Sequence, residues 1–124
     1  METWPSLIDM FYSQAEKLAD QPFLWSKEGG SYVSRSWREV AEEVTLLARG
    51  LRAHGIEDGD RVVLCSENRP EWPIAHLAVM ATGGITVPAY TTNTVNDHLY
   101  ILANSGAKAA IVSTKQLADR LIPA

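Results

Sequence analysis

GIEDGDRVVLCSENRPEWPIAHLAVMATGGITVPAYTTNTVNDHLYILANSGAKAAIV, residues 55–112, reads as strand, helix, strand, helix, strand, with a start or stop signal at nearly every junction. After the polar turn of residues 56–60, Arg61-Val62-Val63-Leu64-Cys65 is β-branched and apolar without alternation. That pattern predicts an interior parallel strand covered on both faces. Asn68 and Glu71 have the spacing of a helix cap, and Pro70 falls in the first turn, where its missing N–H costs little. The helix they open runs to Thr82 and is apolar almost all round, as for a helix buried on more than one side. Gly83-Gly84 ends it, Ile85-Thr86-Val87 forms the next strand, and Pro88 closes that strand. Thr94 and Asp97 form a capping pair for a helix through Asn104, with Gly106 as its stop and Ala109-Ala110-Ile111-Val112 as the last strand. Helices between short apolar strands imply right-handed crossovers and a parallel sheet with helices on its faces, half of a doubly wound α/β architecture.

Upstream, residues 6–18 place Leu7, Ile8, Met10, Phe11, Ala15 and Leu18 at helical spacing. Phe23-Leu24-Trp25 and Tyr32-Val33 are β-prone runs joined across Glu28-Gly29-Gly30, the pattern of a hairpin. Ser36 and Glu39 have capping-box spacing, and Trp37, Val40, Ala41, Val44, Leu47, Ala48 and Leu51 continue as one apolar stripe. Arg49, Arg52 and His54 crowd the end of that helix, opposing its dipole, and Gly55 is its left-handed cap. Downstream, Thr114 opens a further helix carrying Leu117, Leu121 and Ile122. No internal repeat or low-complexity linker interrupts the chain.

A chain of 124 residues with 46% hydrophobic and 21% charged residues fits one folded domain. Its net charge of -4 comes with scattered basic residues, so nucleic acid is not an expected partner. The single Cys65 allows no internal disulfide, lacks metal-site spacing, and fits a reducing compartment. The amino terminus, with Glu2 and Asp9, lacks the basic and apolar segments of a secretory signal. The most apolar run, from Trp72 to Ala81, falls short of the ~20 residues that cross a bilayer. A soluble, cytoplasmic protein without a transmembrane segment is expected.

Several residues invite functional readings. Tyr90-Thr91-Thr92-Asn93-Thr94 resembles an anion-binding turn at a helix start, but it has no glycine and no lysine. It reads as a structural turn capping the following helix, with an indirect role at an acyl or nucleotide pocket as the alternative. His76 reads as a hydrogen-bonded core histidine, His54 as a helix-end cation, and His98 as a first-turn surface residue. Cys65 reads as a small buried hydrophobe. Glu57, Asp58 and Asp60 lack the ligand ladder of a calcium loop and read as solvated. Trp4, Trp25, Trp37 and Trp72 read as core or subdomain contacts, with Trp4 and Phe11 as an alternative dimer surface.

The order and spacing of several of these words resemble the amino-terminal region of the adenylate-forming (AMP-binding) enzymes, the superfamily of acyl-CoA synthetases, luciferases and nonribosomal peptide adenylation domains. They are Ser36-Trp37-Arg38-Glu39-Val40, Gly59-Asp60-Arg61-Val62, Ser66-Glu67-Asn68-Arg69-Pro70-Glu71-Trp72, Gly83-Gly84, Val87-Pro88-Ala89-Tyr90-Thr91-Thr92-Asn93-Thr94 and Ser105-Gly106-Ala107-Lys108-Ala109. The Tyr-Thr-Thr-Asn-Thr variant is most similar to bacterial long- and medium-chain fatty acyl-CoA synthetases. The resemblance implies the first part of a large domain, completed by further chain and a small mobile carboxy-terminal domain. It also implies a two-step reaction in which a fatty acid is adenylated by ATP and then transferred to coenzyme A.

The phosphate-binding loop, the adenine and ribose motifs and the catalytic lysine of that family are absent up to Ala124. The resemblance therefore implies an inactive fragment with no catalytic, cofactor-binding or metal residues of its own. ATP, Mg²⁺ and coenzyme A are expected only in the longer parent, where peripheral membrane contact and a homodimer also stay open. A stand-alone α/β binding module derived from such an enzyme is the alternative reading.

Overall fold

The computed structural model describes residues 3–124, so Met1 and Glu2 lie outside it. Its elements follow the order α1 (Leu7–Leu18), β1 (Pro22–Glu28), β2 (Ser31–Ser36), α2 (Trp37–Ala53), β3 (Arg61–Cys65), α3 (Glu71–Ala81), β4 (Ile85–Ala89), α4 (Val95–Ser105), β5 (Ala109–Val112) and α5 (Lys115–Leu121). β1 and β2 pair as an antiparallel hairpin, and β4-β3-β5 form a parallel sheet with β3 in the centre. Val62, Val63, Leu64 and Cys65 are all buried, as the unalternating apolar run predicts.

An isolated two-stranded hairpin is marginal in water, and here it is held by aromatic packing. Phe23 of β1 stacks on Trp37 at the start of α2, with ring centroids 3.8 Å apart and planes 7° apart. Both lie against a core of Phe11, Val40, Val44, Ala48, Ile74 and Ala78, which joins α1, α2 and α3. A second core cluster, Ile56, Val62 and Val79 with Ala109 and Ile111 against it, fastens the sheet to α3. Phe11 therefore belongs to the interior and is not a dimer surface. Trp25, expected as a core or subdomain contact, is 58% exposed on the hairpin.

The helix starts are only partly those expected. Ser36 and Thr94 accept hydrogen bonds from the backbone N–H groups of Glu39 and Asp97, and the Thr94–Asp97 pair forms a full, reciprocal capping box. At Ser36 the box is half formed, because the Glu39 carboxylate takes the serine hydroxyl instead of the backbone N–H. Asn68 does not cap α3: the helix begins after Pro70 without a side-chain cap. The Glu71 carboxylate instead receives Arg69 and Arg35, each at 3.3 Å, and Arg35 also reaches Glu43 at 2.9 Å. This tie links the hairpin, α2 and α3. Nor does Pro88 end β4, which continues to Ala89 as a strand paired only on its β3 side. A proline without a donor is tolerated on such an edge.

The 56–60 turn is structural. The Asp60 carboxylate accepts the Glu57 N–H at 2.7 Å and faces Lys108 Nζ at 3.3 Å, so it is not merely solvated. The Glu57 hydrogen bond in the first place, and Lys108 with it, hold Asp60 below the usual carboxylate range although burial opposes them. Gly83 closes against this turn with φ +80°, and a Cβ there would meet Asp58 Oδ1 at 2.2 Å. The positive φ is what favours glycine there, since the Asp58 carboxylate is the exposed end of a side chain that can swing aside.

Candidate functional site

The connections β3–α3–β4 and β4–α4–β5 run in opposite directions across the sheet, so right-handed crossovers put α3 and α4 on opposite faces. In keeping with this, α3 packs on α2 and α4 packs on α5. The chain leaving β3 turns to one face, and the chains leaving β4 and β5 turn to the other. In open α/β sheets such reversals open crevices at the carboxyl ends of the strands, where ligands bind.

Two crevices lie there. One, of about 430 Å³, has Ser66, Glu67, Asn68 and Trp72 on one wall and Pro88, Ala89, Tyr90 and Thr91 on the other. The other, of about 290 Å³, lies between the β3 exit and the end of β5, with Ser66, Arg69 and Glu71 facing Ile111, Val112 and Ser113. Glu67 links the two. Its carboxylate accepts a hydrogen bond from the Ser113 hydroxyl and sits 3.9 Å from Arg69. The Ser113 bond is the main reason the Glu67 carboxyl titrates below the usual range.

Behind the first crevice, Trp72 tilts against His76, with ring centroids 5.4 Å apart, and His76 Nδ1 lies 2.8 Å from Thr86 Oγ1. Burial lowers the His76 pKa, favouring the neutral ring. This is the hydrogen-bonded histidine the sequence predicts. Cys65 is buried as expected: its thiol points at the Tyr90 carbonyl at 3.7 Å, and burial raises its pKa, so it is not poised as a thiolate.

The 90–94 turn does what its capping spacing predicts and something more. Thr94 caps α4, while Tyr90 and Thr91 line the crevice. Asn93 is only 8% exposed, its carbonyl accepts from Arg120 at 3.3 Å, and its side-chain nitrogen is buried without a hydrogen-bond partner among the described residues. His98 is not a surface residue: it is 1% exposed. In α4 the apolar Val95 and Leu99, with Asn96 and Asp97 between them, are exposed, whereas His98 is the side chain that turns inside.

Sequence reading also missed the Glu67–Ser113 link and the Arg35 tie, because partners 46 and 36 residues apart leave no local signal. Chemically the crest offers a carboxylate, hydroxyls and aromatic walls. Arg69 and Arg120, the cations beside it, are engaged with Glu67, Glu71 and the Asn93 carbonyl. Among the described residues no group of three His, Cys, Asp or Glu side chains could hold a metal ion. These residues do not by themselves fit a nucleoside triphosphate, whose charge needs free donors and cations.

Replacing Ser113 with alanine is expected to return the Glu67 pKa toward its ordinary value of 4.5, read from an NMR titration of its side-chain carboxyl carbon. The sign follows from linkage: a depressed folded-state pKa contributes stability above the unfolded value, and this is lost as pH falls through the folded one. The stability gap between wild type and Ser113→Ala should be full above pH 4.5 and close below it. A gap independent of pH would mean that Ser113 acts through packing alone.

Residues 11–124 match the AMP-binding enzyme family, and the chain belongs to it. It is 37% identical over 121 residues to the acyl-CoA ligase azaF of Aspergillus niger, covering 95% of this chain and 22% of that ligase. It is 34% identical over 85 residues to the long-chain-fatty-acid–CoA ligase FadD15 of Mycobacterium tuberculosis, covering 68% of this chain and 14% of that one. Among solved structures, it superposes on the N-terminal subdomain of Klebsiella oxytoca NpsA in complex with 3-hydroxyanthranilyl-AMSN, with a TM-score of 0.81 and 25% identity. That match covers 90% of this chain and 28% of the subdomain chain. The chain thus corresponds to an amino-terminal segment of these enzymes and spans about a fifth of the length of the A. niger ligase. No helix among the described residues is long and apolar enough to cross a membrane.

Proposed function

We propose that this chain is the amino-terminal portion of the large domain of an ATP-dependent fatty acyl-CoA ligase and has no activity alone. In that reaction a carboxylate oxygen attacks the α-phosphorus of ATP and expels pyrophosphate. The sulfur of coenzyme A then attacks the acyl carbonyl, and AMP leaves. The family match across residues 11–124 carries this reading. The engaged cations at the sheet crest support it, because phosphate binding would have to come from other segments. ATP, Mg²⁺, coenzyme A and the fatty acid would be held by the remainder of the large domain and by a mobile carboxy-terminal domain, in a cytoplasmic enzyme with at most peripheral membrane contact. This chain would supply a three-stranded parallel sheet and the crevices at its strand ends.

An antibody against residues 37–54 should detect, in native cells, a polypeptide several times heavier than 13.7 kDa. Captured from lysate, that species should release pyrophosphate from ATP in the presence of fatty acid and form acyl-CoA, while the purified 124-residue chain should do neither. Adenylate formation by the short chain would overturn its inactivity. A 13.7 kDa species in cells would favour a stand-alone binding module.

A further inference from the structure

His76 is the one titratable side chain of α3 after Glu71, and it reaches β4, where its Nδ1 lies 2.8 Å from Thr86 Oγ1. Thr86 pairs with Val62 and shares its face of the sheet, on which α3 packs. Trp72, one turn earlier on the same side of the helix, tilts against the imidazole with ring centroids 5.4 Å and planes 47° apart. Trp72 also forms the crevice wall opposite Tyr90. The imidazole therefore ties the helix that carries one wall to the strand that leads to the other.

Burial lowers the His76 pKa, and no charged group adds to that or opposes it. The elements packed against α3 show why. β4 has no titratable residue. On β3, Arg61 and Cys65 belong to the opposite face, where Arg61 bonds the Ser105 carbonyl. α1 and α2 meet α3 through the apolar core around Phe11, Val44 and Ile74. Glu43 of α2 is held by Arg35, and Arg52 by the Thr82 carbonyl. Glu71 itself is held by Arg35 and Arg69. A proton on His76 thus puts an uncompensated charge on a partly buried ring.

We propose that His76 is a proton-operated latch between α3 and β4 that sets the position of Trp72 on the crevice wall. With the ring neutral, the hydrogen bond to the Thr86 hydroxyl holds it against β4 and behind Trp72. A charged ring keeps that place only against its lost hydration, and turning toward water relieves it and withdraws the support behind Trp72. Attraction of a cation to the indole face acts the other way, so the midpoint of the titration decides between the two. The depressed pKa means that the latch is fully engaged above the ordinary value of 6.5 and is lost as pH falls through the folded-state value. The device lies wholly within α3 and β4, needs no free surface and does not depend on the acyl-CoA ligase reading.

NMR titration of the 124-residue chain between about pH 5 and pH 8 tests this. It follows the His76 ring nitrogens and the Trp72 indole N–H, assigned with Trp72→Phe. His76 should titrate below 6.5, and the Trp72 signal should step with the same midpoint. Thr86→Val removes the anchor of the latch and nearly keeps the shape. Its Trp72 signal should already sit at the acid position at neutral pH, with the step lost although His76 still titrates. Thr86→Ser, which keeps a hydroxyl, should keep the step. His76→Gln can bond Thr86 without titrating, so it should hold Trp72 at its neutral position throughout, and it carries the test if Thr86→Val does not fold. A Trp72 step unchanged in Thr86→Val would reflect only the nearness of a new charge and would overturn the proposal. So would a step that persists in His76→Gln, a Trp72 signal that does not follow His76, or a His76 midpoint above 6.5.

Discussion

Val63→Asp is expected to abolish cooperative folding. Val63 is fully buried in the central strand, between Val87 of β4 and Ala110 of β5. Side chains alternate along a strand, so Val62 and Leu64 face α2 and α3 while Val63 and Cys65 face α4 and α5. Helices α4 and α5 cover that second face, and Arg120 of α5, whose charge is felt at Cys65, is already engaged with the Asn93 carbonyl. An unpaired carboxylate there costs several kcal/mol even after relaxation, against a total stability of about 5–15 kcal/mol for a domain. Val63→Thr nearly keeps the shape and adds only a hydroxyl, so it should cost about 1–3 kcal/mol and leave a single transition. Urea denaturation followed by tryptophan fluorescence separates these outcomes. A wild-type transition in Val63→Asp would mean that β3 is not covered on both faces.

Much of this arrangement was legible in the chain because it is written locally. Each parallel strand is a short apolar run, and the capping pairs and Gly55, Gly83 and Gly106 mark helix ends within three or four residues of where the structure has them. β3 could be recognised as interior because its apolar run does not alternate. What could not be read is set by residues distant in sequence. Asn68 has the spacing of a cap, but Arg35 and Arg69 draw Glu71 into ion pairs and the helix starts after Pro70. His98 goes inward because packing, not its own polarity, selects the face of α4. At the candidate site, the 90–94 turn announced its capping role through Thr94 and Asp97. Its crevice needed the crossover geometry, which brings Trp72 and Tyr90 to facing walls. The Glu67–Ser113 bond exists only because β3 and β5 are neighbours in space.

Trp37→Ala should produce the next largest loss, about 3 kcal/mol, toward the low end for removing a tryptophan because Trp37 is only partly buried. Its effect should also be localised. The ring stacks on Phe23 and lies 6.2 Å from Phe11, so it joins the hairpin to the α1–α2–α3 core. The sheet is fastened by a different set of side chains, Ile56, Val62 and Val79. Native-state hydrogen exchange should therefore show backbone amides of residues 22–36 opening readily in the variant while those of β3 stay protected. Phe23→Ala should mimic this, and the double variant should cost less than the sum of the singles, because either substitution already removes the stack. That shortfall should be about 0.5–1.5 kcal/mol. Equal loss of protection in β3 and the hairpin would show instead that the two core clusters unfold as one unit. In that case the hairpin would be part of the cooperative body of the domain, and Trp37 would report the stability of the sheet as well.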